Sequence, residues 1–145
     1  VKIFIASDHA GVAIKPNVIE MLEKRGNEVV DLGTNDISRV DYTDFAHKLC
    51  EEVLKNKDTH GVLICGSGIG MSLAANKHVG IRAALCHDAY TAEMARAHND
   101  ANVLCFGERI VGLGVAESII DAWCNGVFEG GRHAQRVNKI EVNPC

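Results

Sequence analysis

Residues 61–71 read Gly61-Val62-Leu63-Ile64-Cys65-Gly66-Ser67-Gly68-Ile69-Gly70-Met71. An apolar run ends on a cysteine, three glycines alternate through the next five positions, and apolar residues then resume at helical spacing. This order predicts a strand, a tight loop and a helix. The loop holds a thiol and unpaired backbone N–H groups at a helix N-terminus, a place where an anion is stabilised. The spacing Gly66-x-Gly68-x-Gly70 is not the Gly-x-Gly-x-x-Gly of a dinucleotide fingerprint, although Asp88 follows the next strand at a tempting distance. No Gly-Lys-Ser or Gly-Lys-Thr follows, which excludes the nucleotide P-loop motif. A ligand-free strand-to-helix turn is the plain alternative to an anion site.

The same alternation extends outward in both directions. Apolar strands are predicted at 2–7, 28–32, 61–65, 81–86 and 102–106. Helices are predicted at 12–24, 43–55, 69–77, 88–98 and 113–125. Pro16 falls in the first turn of its helix, where a missing N–H does little harm. Thr43 and Asp88 are the expected N-caps. The strands are continuous apolar runs, so both faces of the sheet should be covered. The predicted fold is α/β, a Rossmann-like doubly wound parallel sheet of about five strands in three α/β/α layers, with a C-terminal helical tail. The 145 residues are expected to form a single domain, whose tail at 130–145 packs at a subunit interface.

Hydrophobic residues make up 47% of the chain and charged residues 23%, as in a soluble globular protein, and the net charge of −4 gives no reason to expect nucleic-acid binding. No apolar run is long enough to span a membrane and no signal peptide is recognisable. Cys50, Cys65, Cys86, Cys105, Cys124 and Cys145 include no Cys-x-x-Cys pair. Their wide spacing is expected of reduced thiols in a cytoplasmic protein rather than of a zinc site or a disulfide framework.

Ligands of such sheets bind beyond the carboxyl ends of the strands. Those ends carry Asp8-His9, Asp41-Tyr42, Cys65, Cys86-His87-Asp88 and Glu108-Arg109. Cysteine is often just a small buried hydrophobe, and Cys86 and Cys105 also lie near strand ends. Only Cys65 is followed by a loop whose amides and helix dipole favour a thiolate. His47, His60 and His78 fall outside any polar cluster, and His87 merely adjoins Cys86. His9, His98 and His133 each stand in a polar group at an element end. Arg132 and Arg136, at i and i+4, share a helix face and can grip a phosphate together, although a solvated basic face is the commoner outcome. His98-Asn99-Asp100 closes the fourth helix, which places His98 at the edge away from the strand C-termini. It reaches a site there only across a subunit contact.

Together these residues resemble the type B ribose-5-phosphate isomerases, in a family that also holds galactose-6-phosphate and allose-6-phosphate isomerases. The resemblance runs in order through Ser-Asp-His-Ala-Gly at 7–11, Val-Asp-Tyr at 40–42 and Cys-Gly-Ser-Gly-Ile-Gly at 65–70. It continues through Ala-Ala-Asn-Lys at 74–77, Gly-Ile-Arg-Ala-Ala at 80–84 and His-Asn-Asp-Ala-Asn-Val-Leu at 98–104. Gly-Glu-Arg-Ile-Val-Gly at 107–112 and Glu-Gly-Gly-Arg-His at 129–133 complete it. It implies interconversion of ribose 5-phosphate and ribulose 5-phosphate through an enediolate, with no metal and no cofactor. Cys65 is then the base that moves a proton between C1 and C2. The amides of Gly66, Gly68, Ile69 and Gly70 form the anion hole, and Ser67 shuttles the hydroxyl proton. His98 opens the sugar ring, oriented by Asp41. Asp8, Tyr42 and Asn99 contact the sugar, and His9, Arg109, Arg132 and Arg136 hold the phosphate with His133 close by. The resemblance also implies a homodimer or tetramer with sites shared between subunits. Many members carry threonine where this chain has Ser67, which keeps the hydroxyl. Some replace the cysteine by a glutamate at the position of Met71, which cannot act as a base. A 6-phosphorylated hexose as substrate, or a non-catalytic sugar-phosphate-binding module, are the competing readings.

Overall fold

Alternating side-chain direction along each strand divides the apolar residues of this chain between two helical layers. A computed structural model describes residues 1–142. Five strands, β1 (Lys2–Ser7), β2 (Glu28–Asp31), β3 (His60–Cys65), β4 (Ala83–Leu85) and β5 (Val103–Gly107), form one parallel sheet in the order β2-β1-β3-β5-β4. The helices are α1 (Lys15–Lys24), α2 (Tyr42–Lys55), α3 (Ile69–Ala75), α4 (Ala89–Ala97), α5 (Leu113–Asn125) and α6 (Arg132–Val137). Ile3, Ile5, Val62, Ile64, Leu104 and Phe106 face the layer of α1, α4 and α5, where Trp123 is wholly buried. Phe4, Ala6, Leu63, Cys65, Val103 and Cys105 point the other way, toward Leu49, Val53, Met71 and Ala75 of α2 and α3. Fully burying each of the larger aliphatic side chains contributes about 1.5–3 kcal/mol. The parity that drives this packing also turns Cys65 toward α2 and α3.

Between β1 and β3 the chain order reverses. The loop after β1 leads to β2 on one side, while β3 continues the sheet on the other, so a crevice opens at their carboxyl ends.

Several predicted boundaries shift for identifiable reasons. A single 3₁₀ turn at His9–Gly11, capped by the Asp8 carboxylate on the Ala10 N–H, precedes α1. The Ile14 N–H donates to Glu108 Oε1 at 2.7 Å, so α1 begins only at Lys15, with Pro16 in its first turn. Asp41, not Thr43, is the N-cap residue of α2. The fourth strand is three residues rather than six: Arg82 N–H goes to the Asn102 side chain and the Arg82 carbonyl to Asn102 and Val103 N–H, which takes 81–82 out of the regular ladder. Asp88 does cap α4, in a reciprocal box with Thr91. The histidines expected to be isolated are not. His47 Nδ1 meets His78 Nε2 at 2.6 Å between α2 and the end of α3, and His60 Nδ1 accepts from the Trp123 indole N–H. Of the predicted tail, α6 and residues to 142 are described. Glu141 accepts the Gly80 N–H at 2.8 Å, which ties the tail to its own chain, and Asn143, Pro144 and Cys145 lie outside the described residues.

Candidate active site

Cys65 ends β3 with its side chain buried beneath the glycine loop. Gly68 has φ +80°, a left-handed conformation that favours glycine, and it starts α3. That turn aims the Gly68 N–H back at Cys65 Sγ, 3.1 Å away. An N–H donor of this kind is worth more to a thiolate than to a thiol. Ser67 Oγ accepts the Ile69 N–H at 3.2 Å, while the Ile69 side chain stands exposed. The first-turn amides of α3 have no intrahelical partners, which leaves donors at the helix mouth. Gly70 is needed for a different reason: a Cβ there would lie 2.6 Å from Tyr42 Cζ, so the ring of Tyr42 packs on the bare backbone of the loop.

Burial pushes Cys50 up to about 12 and Cys86 up to about 11, and the wholly buried Cys105 well above the usual thiol range. These groups stay protonated.

A cleft of about 330 Å³ opens over Cys65, lined by Asp8, His9, Tyr42, Ser67 and Arg109 together with Gly66 and Gly70. It lies at the reversal point between β1 and β3. His9 Nδ1 accepts the Val40 N–H at 3.2 Å, which in a neutral ring puts the proton on Nε2 and makes it a donor. Arg109 donates its backbone N–H to the Gly66 carbonyl and lays its guanidinium over Gly66. Two cationic or donor groups, a carboxylate and a thiol thus meet over a bed of amides. This set suits a small polyhydroxylated anion and proton transfer at one of its carbons.

The remaining predicted residues gather elsewhere. His98 caps the C-terminus of α4, at the edge where β5 begins, and its ring stacks on that of His133 with centroids 4.1 Å apart and planes 11° from parallel. Arg132 and Arg136 lie exposed on α6, and Asn99 lines a separate cavity with Arg82 and Ile140. Asp41 stands at the N-terminus of α2, at the cleft end of the sheet, so in one chain it does not approach His98. The carboxylate beside His98 is that of Glu129, 3.8 Å from His98 Nε2 and 3.4 Å from His133 Nε2. Sequence reasoning passed over Glu129 as a side chain, since its motif was read for the arginines and histidine.

These three ligand atoms lie within 4.8 Å of one another. Both Nε2 atoms face one oxygen, Glu129 Oε1, at ion-pair distances, so the stacked rings and the carboxylate form a single cluster.

Residues 3–140 match the family model described as Ribose/Galactose Isomerase. Ribose-5-phosphate isomerase B of Escherichia coli is 47% identical over 139 residues, covering 96% of this chain and 93% of the relative. The structure of Clostridium thermocellum ribose-5-phosphate isomerase B superposes with a TM-score of 0.93 at 52% identity, covering 97% of this chain and 95% of that one. The type B ribose 5-phosphate isomerase of Trypanosoma brucei gives 0.92 at 46% identity, covering 95% of each chain. With the ordered motifs, the parallel five-stranded sheet and the glycine-loop cleft all in agreement, the chain belongs to the ribose/galactose isomerase family.

Proposed function

We propose that this protein interconverts ribose 5-phosphate and ribulose 5-phosphate, with Cys65 as the base. The observation that carries the reading is the Gly68 N–H on Cys65 Sγ at the floor of the cleft. In the aldose direction the furanose opens first. The O1 proton leaves to His98, the C1–O4 bond breaks with its electron pair going to O4, and O4 takes up a proton. The Cys65 thiolate then removes the C2 proton, the C–H electrons form the C1=C2 bond, and the carbonyl electrons move to O1. The amides of the glycine loop stabilise this enediolate, each such donor being worth about 3 kcal/mol. Ser67 carries the hydroxyl proton from O2 to O1, and the Cys65 thiol returns its proton to C1 as the C2 carbonyl forms. Asp8 and Tyr42 orient the sugar. His9, Arg109, Arg132 and Arg136 hold the phosphate, remote binding that fixes the reacting carbons near Cys65.

Cys65 and His98 stand at opposite edges of one sheet, so the working site is built by two copies, with His98, Asn99, Arg132, His133 and Arg136 coming from the partner. Tyr42, Ile69 and Leu73 form an exposed apolar strip beside the cleft, a surface that a second copy would cover. No helix among the described residues is long and apolar enough to cross a membrane, and Cys50, Cys65, Cys86, Cys105 and Cys124 are free thiols, which supports a reducing, cytoplasmic setting.

Complementation tests both parts at once. Cys65→Ala and His98→Ala should each lose turnover of ribose 5-phosphate. Mixed and allowed to exchange subunits, they should regain roughly a quarter of wild-type activity, since half the dimers are mixed and each of these has one intact site. Failure to regain activity after verified exchange refutes the shared site, and near-normal turnover by Cys65→Ala refutes the base. Allose 6-phosphate and galactose 6-phosphate in parallel measure the substrate preference.

A further inference from the structure

The face formed by the end of α4 and the start of α6 carries more than the ring-opening histidine. The Glu129 carboxylate lies against Nε2 of both His98 and His133. Its backbone N–H donates to the Ala97 carbonyl at 3.0 Å, one of the carbonyls that the end of α4 leaves without an intrahelical partner. This bond pins residue 129 beside the residue that precedes His98. Gly130 and Gly131 follow with φ +65° and +54°, and this reversal brings His133 back over His98 as a buried stacking partner. The segment 129–133 therefore closes on itself around one imidazole. None of its residues lines the cleft over Cys65.

We infer that Glu129 is a positioning residue for ring opening. From its place 3.8 Å from His98 Nε2, an ion-pair distance, it takes up the Nε2–H as the ring engages the sugar, holds the ring against His133 and leaves the Nδ1 lone pair to take the O1 proton. His133 serves as the second donor that keeps the carboxylate in place. The inference rests on the proposed isomerase reading and adds a residue to one step of it. Glu129 acts only where a ring must open, and it has no part in the proton transfer at Cys65.

Ribulose 5-phosphate separates the two steps. Its C5 oxygen carries phosphate, so it cannot close a furanose and meets the enzyme as an open chain. Exchange of its C1 hydrogen with solvent deuterium reports enolisation without ring opening, whereas net turnover of ribose 5-phosphate reports both. Glu129→Ala should lower kcat/KM for ribose 5-phosphate about tenfold, part of the roughly 10²–10⁴-fold that general acid–base catalysis supplies. Deuterium exchange into ribulose 5-phosphate should stay within about twofold of wild type, in line with a step that general acid–base assistance at His98 does not reach. Glu129→Gln, whose amide oxygen still accepts an N–H, should recover most of the loss. The inference is overturned if Glu129→Ala leaves turnover unchanged, if exchange falls in step with turnover, or if Glu129→Gln behaves like Glu129→Ala. A wild-type protein that neither turns over ribose 5-phosphate nor exchanges the ketose overturns the isomerase reading itself. Normal ribose 5-phosphate turnover by His98→Ala removes His98 from ring opening, and Glu129 with it, while leaving Cys65 standing.

Discussion

His60 should make this protein sensitive to acid well above the range where carboxylates protonate. The residue starts β3, accepts the Trp123 indole N–H on Nδ1 at 3.3 Å, and meets the Trp123 ring edge-on at 5.6 Å. Burial pushes its pKa down from the usual 6.5 to about 4; the nearby Arg96 charge adds to this, and Asp100 partly opposes it. The folded state thus binds the His60 proton less readily than the unfolded chain does. Stability from this group is complete above about pH 6.5, declines as pH falls from there to about 4, and does not decline further below. At 1.36 kcal/mol per pH unit, a gap of about 2.5 units amounts to about 3 kcal/mol, a large share of the 5–15 kcal/mol that typically holds a domain together. His60→Gln keeps an acceptor for Trp123 and removes the titration. Urea unfolding of both proteins at one protein concentration, from about pH 7 to pH 4, isolates His60, because every other group cancels in the difference. The wild type should lose about 3 kcal/mol relative to the variant across that range. Parallel stability curves would refute the reasoning, as would a His60 ring that titrates near 6.5 by NMR.

Two further substitutions separate site geometry from folding. Gly70→Ala places a Cβ 2.6 Å from Tyr42 Cζ, and Tyr42 is exposed enough to swing aside. Its thermal stability should change by less than about 1 kcal/mol, because the helix gains an alanine. Its kcat/KM for ribose 5-phosphate should fall about 10–100-fold as the ring leaves the cleft wall; retention of full activity would take Tyr42 out of the site. Asp31→Ala strands the buried Lys15 ammonium, which pairs with Asp31 at 2.7 Å and also donates to the Thr34 carbonyl. It should cost about 3 kcal/mol in denaturant unfolding, and adding Lys15→Met should recover most of that. A double variant no more stable than Asp31→Ala alone would show that the pair does not act through an uncompensated charge.

What the sequence disclosed and what it hid follow one physical line. Runs such as Ile3–Ala6 and Val62–Cys65 state their own layering, because strand parity is local and both faces are apolar. The glycine loop was legible for the same reason: Gly68 and Gly70 answer constraints set within a few residues or by one packed ring. The shortened β4 was not legible, because its first residues are taken by the side chain of Asn102, twenty positions on. Nor were the pairs His47–His78 and His60–Trp123, or the pairing of the buried Lys15 with Asp31, since each joins elements that only the tertiary fold brings together. The motif Glu129-Gly-Gly-Arg-His is local, but its meaning lies in a contact with His98 thirty-one residues earlier.

The placement of His98 shows how topology constrains the proposed mechanism. Every strand is parallel, so a group at a helix C-terminus that precedes a strand must lie at the opposite edge from a group at a strand C-terminus. No side-chain rotation spans a strand of six residues, about 20 Å long at 3.3 Å per residue. A mechanism that needs both Cys65 and His98 therefore needs two chains, and a monomeric variant with a correct fold should be inactive. In the proposed reaction the edge with Cys65, the amides and Arg109 would handle the enediolate and part of the phosphate, and the edge with His98, Glu129 and His133 would handle the ring. If these halves lie on different copies at each site, as proposed, a substitution in one half can be complemented by a subunit damaged in the other. Two substitutions within the same half cannot complement each other. That asymmetry follows from strand direction alone, and it gives the complementation experiment a built-in control: Cys65→Ala mixed with Gly70→Ala should recover nothing beyond the activity Gly70→Ala retains by itself.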